Sequence, residues 1–294
     1  MRDFSHLTGI TIGGAAIALA VGGLAVTPAA GAASQVPARS AAGATTAYRM
    51  LPRIVPGGPM KLARGRRTRV LASRATEVAS TNWAGYAATQ PNRSFRYVRG
   101  TFFVPYVDCA TTADSFSAHW VGLDGFDSDT VEQAGVLAAC NGNTPQYAAW
   151  YEMFPQFPVY PNITIRAGDS IMVSVFYRRA TGKFVIVLTD TSNGAHFARV
   201  LACPSGSTCQ RASAEAISEP PTSSSTGIEP LADFRAESFS GIRVTDATGH
   251  RGTLRSRRWG TTKIVNISEG GSLLDQPTQL FQGMTFDNYW MRSS

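Results

Sequence analysis

The sequence predicts an all-β protein, built as a sandwich or a barrel. After Ser80, short β-branched and aromatic runs alternate with turn residues, and none keeps a long 3.6-residue period. Only 16% of the residues are charged, while Gly, Ser and Thr are plentiful, which suits an extracellular β protein with many turns. The part after Ser80 is roughly 215 residues, a length that single all-β domains reach.

Residues 1–33 read as a secretory signal. Arg2 and His6 form a short n-region beside Asp3, and Ile10 to Val26 is an uncharged run of 17 residues. Ala30-Gly31-Ala32 fits the small-x-small cleavage pattern. A membrane anchor is the competing reading, but the run is at the short end for a span and rich in Gly and Ala. Residues 34–77 form a basic arm, rich in Ala, Pro, Gly and Arg, with no apolar period. Alone such a segment is disordered. It is expected to be a propeptide or a linker, with basic cleavage points between Arg64 and Arg69.

The folded domain is expected over 78–294. Asn82-Trp83-Ala84-Gly85-Tyr86 opens it. Phe95 to Val104 reads as a strand, with Phe95, Tyr97, Arg99, Thr101 and Phe103 on one face and Val98, Phe102 and Val104 on the other. Ile163 to Ile165 and Ser170 to Tyr177 read as strands around the turn signal Ala167-Gly168-Asp169. Thr181-Gly182 then turns the chain into Lys183 to Asp190, a hairpin by sequence. His196 to Leu201, Gly241 to Val244, Lys263 to Ile267 and Gln279 to Phe286 each supply a strand. Thr222 to Thr226 reads as a surface loop.

Charge is unevenly placed. The chain carries a formal +7, yet residues 34–76 hold nine basic groups and no acid, and residues 77–294 hold 17 basic groups against 19 acids. The basic balance belongs to the arm, so no nucleic-acid partner is expected. Four cysteines, Cys109, Cys140, Cys203 and Cys209, include no C-x-x-C pair and have no His near enough for a zinc knuckle. Disulfides are the reading for a secreted chain. Of three possible connectivities, Cys109–Cys140 with Cys203–Cys209 closes two separate loops in sequence order.

The chemistry must come from carboxylates and amides. Only four His are present, and no G-x-S-x-G or H-E-x-x-H occurs. His196 and His250 sit in polar, turn-like surroundings. His119 adjoins Trp120, and a lone His without an identified partner is a structural group. The chain is organised around His119 to Gln133, where Gly122, Asp124, Gly125, Asp127 and Asp129 crowd a turn between Trp120 and Val131-Glu132-Gln133.

Five segments in order, Asn82 to Gly85, Trp120 to Gly125, Gln133 to Gly135, Ala149 to Pro155 and Ala214 to Glu219, resemble the glutamic peptidases, the eqolisin family of secreted acid endopeptidases. That resemblance implies a sandwich of two large antiparallel sheets, concanavalin-like or of jelly-roll type, with the site on a concave face. It implies no metal and no cofactor, and protein or peptide substrates. No membrane association is expected after signal cleavage, and the protein is expected to be a secreted monomer.

The family's catalytic glutamine falls on Gln133. Its glutamate falls on Glu219, with Glu215 as the fallback, because Ala216 and Pro220 depart from the pattern around it. Trp120, Asp124, Trp150 and Glu152 match residues that line the substrate site. The division of labour makes chemical sense. A carboxylate takes a proton from the attacking water and returns it to the leaving amine. A neutral amide donates to the oxyanion and does not titrate. Two other readings compete: a sandwich glycosidase with Glu152 and Glu219 as paired carboxylates, and a non-catalytic carbohydrate-binding protein. Asn92, Asn162 and Asn266 begin glycosylation sequons.

Overall fold

The computed structural model describes residues 54–64, 69–71, 75–223 and 227–294. The signal over 1–33, the arm up to residue 53 and the end of the Ser-Thr run lie outside the described residues. No helix occurs among the described residues. The arm contributes β1 (Ile54–Val55) and β2 (Arg69–Val70). The body begins with β3 (Thr76–Ser80), β4 (Ala84–Thr89), β5 (Phe95–Phe103) and β6 (Phe116–Leu123). A long hairpin follows, β7 (Val131–Asn141) and β8 (Thr144–Phe154). Then come β9 (Ser170–Arg178), β10 (Lys183–Asp190), β11 (His196–Ala202) and β12 (Ser213–Glu219). Two short strands, β13 (Thr222–Ser223) and β14 (Gly227–Ile228), precede β15 (Ala236–Asp246) and β16 (Arg251–Gly252). The chain closes with β17 (Gly260–Ile267), β18 (Leu273–Pro277) and β19 (Phe286–Trp290).

These strands form two leaves. One runs β11-β10-β9-β5-β15 and the other β17-β4-β12-β6-β7-β8, with β19 and β18 carrying the hydrogen-bonded ladder round the edge between them. Pairing is antiparallel except between β3 and β17, which run parallel. The inner faces meet in one core. Val98, Phe102, Ile171, Val173, Val175, Phe184 and Ile186 come from the first leaf, and Val121, Leu123, Ala134 and Val136 from the second. The period-2 alternation of β5 and β9 is what delivers those side chains inward. Each large one contributes roughly 1.5–3 kcal/mol on burial.

Several local expectations change. Phe95 was expected to share a face with Tyr97, but it is buried with the inner side chains. A register shift between Thr245 and Asp246 on β15 turns the start of β5 inward. Ile163 to Ile165 is loop, not strand. Pro161 precedes it, and the Ile163 N–H folds back on the Pro161 carbonyl. Gln279 to Phe286 is mostly a turn, because Gln282 and Gly283 both have positive φ; the strand begins only at Phe286. Thr222 and Ser223 are not loop but pair with Val55 and Ile54 of the arm. The two disulfides are Cys109–Cys140 and Cys203–Cys209. Asn92 and Asn162 are exposed, whereas Asn266 is buried and donates to Asp275 Oδ1 at 2.7 Å, so the third sequon is closed in the folded chain.

Candidate active site

The outer face of the second leaf is a groove built from two adjacent rows of side chains. Register across β8, β7, β6 and β12 places Trp150, Gly135, Trp120 and Ile217 in one row. Gly135 must be glycine here, since a Cβ would lie 2.6 Å from Trp120 Cβ. Its bareness lets both indoles share the floor. Trp83, arriving between β3 and β4, stands edge-on to Trp120 with ring centroids 5.0 Å apart. The three tryptophans pack with Val131, Leu137 and Ile264. The next row holds Glu152, Gln133, Gly122 and Glu215.

Gln133 is buried, and its side-chain N–H groups have two acceptors. One is Glu152 Oε2 at 2.8 Å. The other is the main-chain carbonyl of Gly57, in the arm. The Gly57 N–H donates in turn to Glu219 Oε1. One residue of the arm therefore joins Gln133 to Glu219. Glu215 shares Gln133's row, but its carboxyl lies among Ser213 and Asp124 instead. Glu219, four residues further along β12, is the glutamate that meets Gln133 at a common peptide.

Both acids are perturbed. Burial pushes the Glu219 carboxyl well above the usual range, and the Gly57 N–H and nearby Trp120 indole partly offset this. Burial likewise raises Glu152, the charge of Glu219 raises it further, and the Gln133 amide opposes the shift. Glu152 thus orients the glutamine from one side. Desolvated carboxyls beside one another are a frequent signature of catalytic sites.

The other expected residues divide. Trp120 and Trp150 lie in the groove floor, and Glu152 touches Gln133 directly. Asp124 sits at the end of β6, against the start of β12. Its two oxygens accept the Arg211 and Ala212 amides at 2.6 and 2.8 Å, clamping the end of β6 to the start of β12. It sits at φ +69°, a conformation that Asp tolerates better than most residues. His119 points away from the groove, between Ser218 Oγ and Ser117 Oγ at 3.0 and 3.1 Å and edge-on to Phe234. Burial lowers its pKa to about 3, so it is a neutral packing group.

The largest addition to the sequence reading is the arm itself. Residues 54–63 lie along the groove, held chiefly through their backbone. Tyr160 Oη donates to the Ile54 carbonyl at 3.0 Å and Trp83 Nε1 to the Gly58 carbonyl at 3.0 Å. Asn82 Nδ2 donates to the Pro59 carbonyl at 3.1 Å, and its Oδ1 accepts the Lys61 N–H at 2.7 Å. Met60 N–H donates to Gly125 O at 2.9 Å. Gly57 has φ +83°, which strains any other residue, and an added Cβ would lie 2.5 Å from Gln133 Cδ and push the amide aside. Pro56-Gly57-Gly58-Pro59 was the available sequence signal, a rigid-flexible-rigid stretch unlike the rest of the arm.

A groove that holds an extended backbone over a Gln/Glu pair can be compared with known proteins. The profile of the peptidase A4 family matches residues 81–280. The chain belongs to the peptidase A4 family. The fold of this A4 peptidase is similar to that of scytalido-glutamic peptidase, solved with a transition state analog inhibitor, at 23% identity and a TM-score of 0.61 over 72% of this chain and 98% of that one. SCP-B, an eqolisin solved with the tripeptide Ala-Ile-His, matches at 24% identity and 0.58 over 72% and 98%. Aspergilloglutamic peptidase from Aspergillus niger matches at 22% and 0.53 over 60% and 100%. No curated protein sequence matches the chain. The A4 peptidase is a glutamic endopeptidase, and the glycosidase and carbohydrate-binding readings give way to that assignment.

Proposed function

We propose that this peptidase works in acid outside the cell, with Glu219 as general base and acid and Gln133 as the oxyanion donor. The observation that carries the reading is the seat of Gly57: its carbonyl takes the Gln133 amide while its N–H engages Glu219. A substrate carbonyl in the Gly57 position would receive the Gln133 N–H where charge develops on its oxygen. With the strap gone, water reaches Glu219 and relieves the burial that raises its pKa, so its ionised form would draw a proton from water as that water attacks the carbonyl carbon. The protonated carboxyl would then pass the proton to the departing amine. Glu152 keeps the amide of Gln133 turned toward the oxygen. Two disulfides suit an oxidising, extracellular setting, in keeping with the signal-like start of the chain.

The same seat supports a propeptide role for the arm. Glu219 Oε1 is occupied by the Gly57 N–H, so the strap's own backbone fills the place from which the carboxyl would present a water. A chain bound this way blocks the groove without being cut. The nine basic groups of residues 34–76 suggest attraction by charge. In the described part the hold is made by backbone groups instead, and Lys61 is close enough to lower the Glu219 pKa.

The test is digestion of a denatured protein at about pH 3–4, where ordinary carboxyls titrate, beside a reducing-end assay on polysaccharide. Glu219→Gln and Gln133→Glu should each lose at least ~10²–10³ in turnover while keeping the fold. A correctly folded Glu219→Gln protein with wild-type turnover would overturn the assignment and turn attention to Glu215.

A further inference from the structure

The outer face of the first leaf, on the side of the sandwich away from the groove, carries a hollow of about 920 Å³ lined by β5, β9, β10, β15 and β16. That is within the usual range for small-ligand sites. Register divides it into two halves. One row reads Val185, Phe176, Tyr97, Thr245 and Arg251 across β10, β9, β5, β15 and β16, and exposed Val200 on β11 extends it past the edge of the hollow. The neighbouring row reads Val187, Ser174, Arg99 and Arg243. The β10–β9 side is thus apolar, and the β5–β15–β16 side is basic. Four apolar side chains from Val200 to Tyr97 span roughly 14 Å at the spacing of adjacent strands. Phe176 and Tyr97 meet edge to face with centroids 6.3 Å apart, giving the stripe a firm floor.

The basic half is uncompensated. Arg96, Arg99, Arg243 and Arg251 line it, and no acidic residue does. The ion pairs among the described residues use Arg69, Arg235, Arg258 and Lys263 instead. Arg99 and Arg243 are direct cross-strand partners, an arrangement that destabilises a sheet when both charges are alike. Arg96 Nε is buried and lacks a hydrogen-bond partner. The nearest acid on β15, Asp246, is already taken up by Thr248, the His250 N–H and Arg258. Fold stability gives no reason for like charges to converge at one end of an apolar stripe, and an anion placed there would relieve them.

We propose that this hollow binds an anionic amphiphile, a molecule with an apolar chain or ring along Val200, Val185 and Phe176 and a single charged head among Arg99, Arg243 and Arg251. Guanidinium forks suit sulfate, sulfonate, phosphate and carboxylate heads through paired N–H bonds. Arginine keeps its charge in acid, so heads that remain ionised there, sulfonates and phosphates, bind under the conditions of peptide hydrolysis. A polyanion is a poorer fit, because half of the hollow offers it no charge. The proposal concerns the leaf opposite the groove and is independent of the catalytic assignment.

Anilinonaphthalene sulfonate is a suitable probe, being apolar, charged in acid and fluorescent when its rings leave water. Titration of the purified protein should show one saturable site. Decyl phosphate should displace the probe, and inorganic phosphate at the same concentration should not. Arg99→Ala with Arg243→Ala should weaken binding at least ~10-fold, as expected for losing charge-assisted bonds to the head. Val185→Asp should abolish binding through the apolar half. Neither variant should lower the melting temperature, and both should keep peptide hydrolysis, since neither touches the groove. Binding that is unsaturable, or unchanged in both variants, would overturn the proposal. So would displacement by inorganic phosphate as effective as by decyl phosphate, which would reduce the hollow to a simple anion patch.

Discussion

Gly57→Ala in the arm is the sharpest perturbation of the proposed latency. The added methyl must fall within the Gln133 amide, 2.5 Å from Cδ and 2.6 Å from Oε1, and the residue must hold φ +83°. A left-handed conformation costs a non-glycine residue ~1–2 kcal/mol. Either the strap or the Gln133 amide must move, so at least one hydrogen bond is lost. The lost bond is worth roughly 0.5–1.5 kcal/mol, since burial keeps the strap-bound Glu219 carboxyl protonated in acid. The sum, about 1.5–3.5 kcal/mol, corresponds to a loss of roughly 10- to 400-fold in affinity. Two assays read it. A synthetic peptide of residues 54–64 should inhibit the matured enzyme, and its Gly57→Ala counterpart should inhibit more weakly by that factor. In the intact chain, a shift to about pH 3.5, below the model carboxylate values, should give the wild type a lag while the arm is removed. The Gly57→Ala chain should be active from the first time point. Equal inhibition by the two peptides, together with equal lags, would refute the idea that the Gly57 seat blocks the site.

Stability should fall as pH rises, in contrast to the common case of ion-paired carboxylates. Asp275 is fully buried, and burial raises its pKa to about 8; Glu132, Glu215 and Glu237 are displaced in the same direction. Between the unfolded value near ~4 and the folded value, the native state holds a proton that the unfolded state has released. Stability therefore declines across that window, by up to ~1.4 kcal/mol per pH unit for each such group. Asp275→Asn keeps an acceptor for Asn266 and should flatten the decline measured by urea unfolding at about pH 4 and about pH 7; parallel slopes in variant and wild type would count against it. Loss of the Cys109–Cys140 bridge, which joins residues 31 apart, should cost roughly 3.7 kcal/mol, against roughly 2.2 kcal/mol for Cys203–Cys209 at a separation of 6. Denaturant midpoints of the two paired Cys→Ser variants should rank in that order, and the reverse ranking would show that native strain governs both.

The residues alone determined the all-β class, because the alternation in Phe95–Phe103 and Ser170–Arg178 is a local property of a pleated strand. The disulfide pairing was also legible, since each bridge closes a loop within one stretch of chain. So were the five motif segments, which carry the family, and Gln133 within them. Segments whose fate depended on distant partners were not legible. Val131–Asn141 is small, apolar and buried nearly throughout, so no period marked it as a central strand. The motif match points to Glu219 with Glu215 as the fallback, whereas strand register alone puts Glu215 in the row of Gln133. The proposed role of Glu219 draws on a contact no motif shows, its carboxyl meeting an arm residue 162 positions away. Asp124 was read as a substrate contact, and only the approach of the Arg211–Ala212 backbone shows it clamping two strands. The arginines of the opposite hollow were scattered charges until strands β5, β15 and β16 aligned them. Local periodicity fixes which face of a strand is apolar, but pairing between strands far apart in sequence decides which polar groups become neighbours, and the chemistry resides in those neighbours.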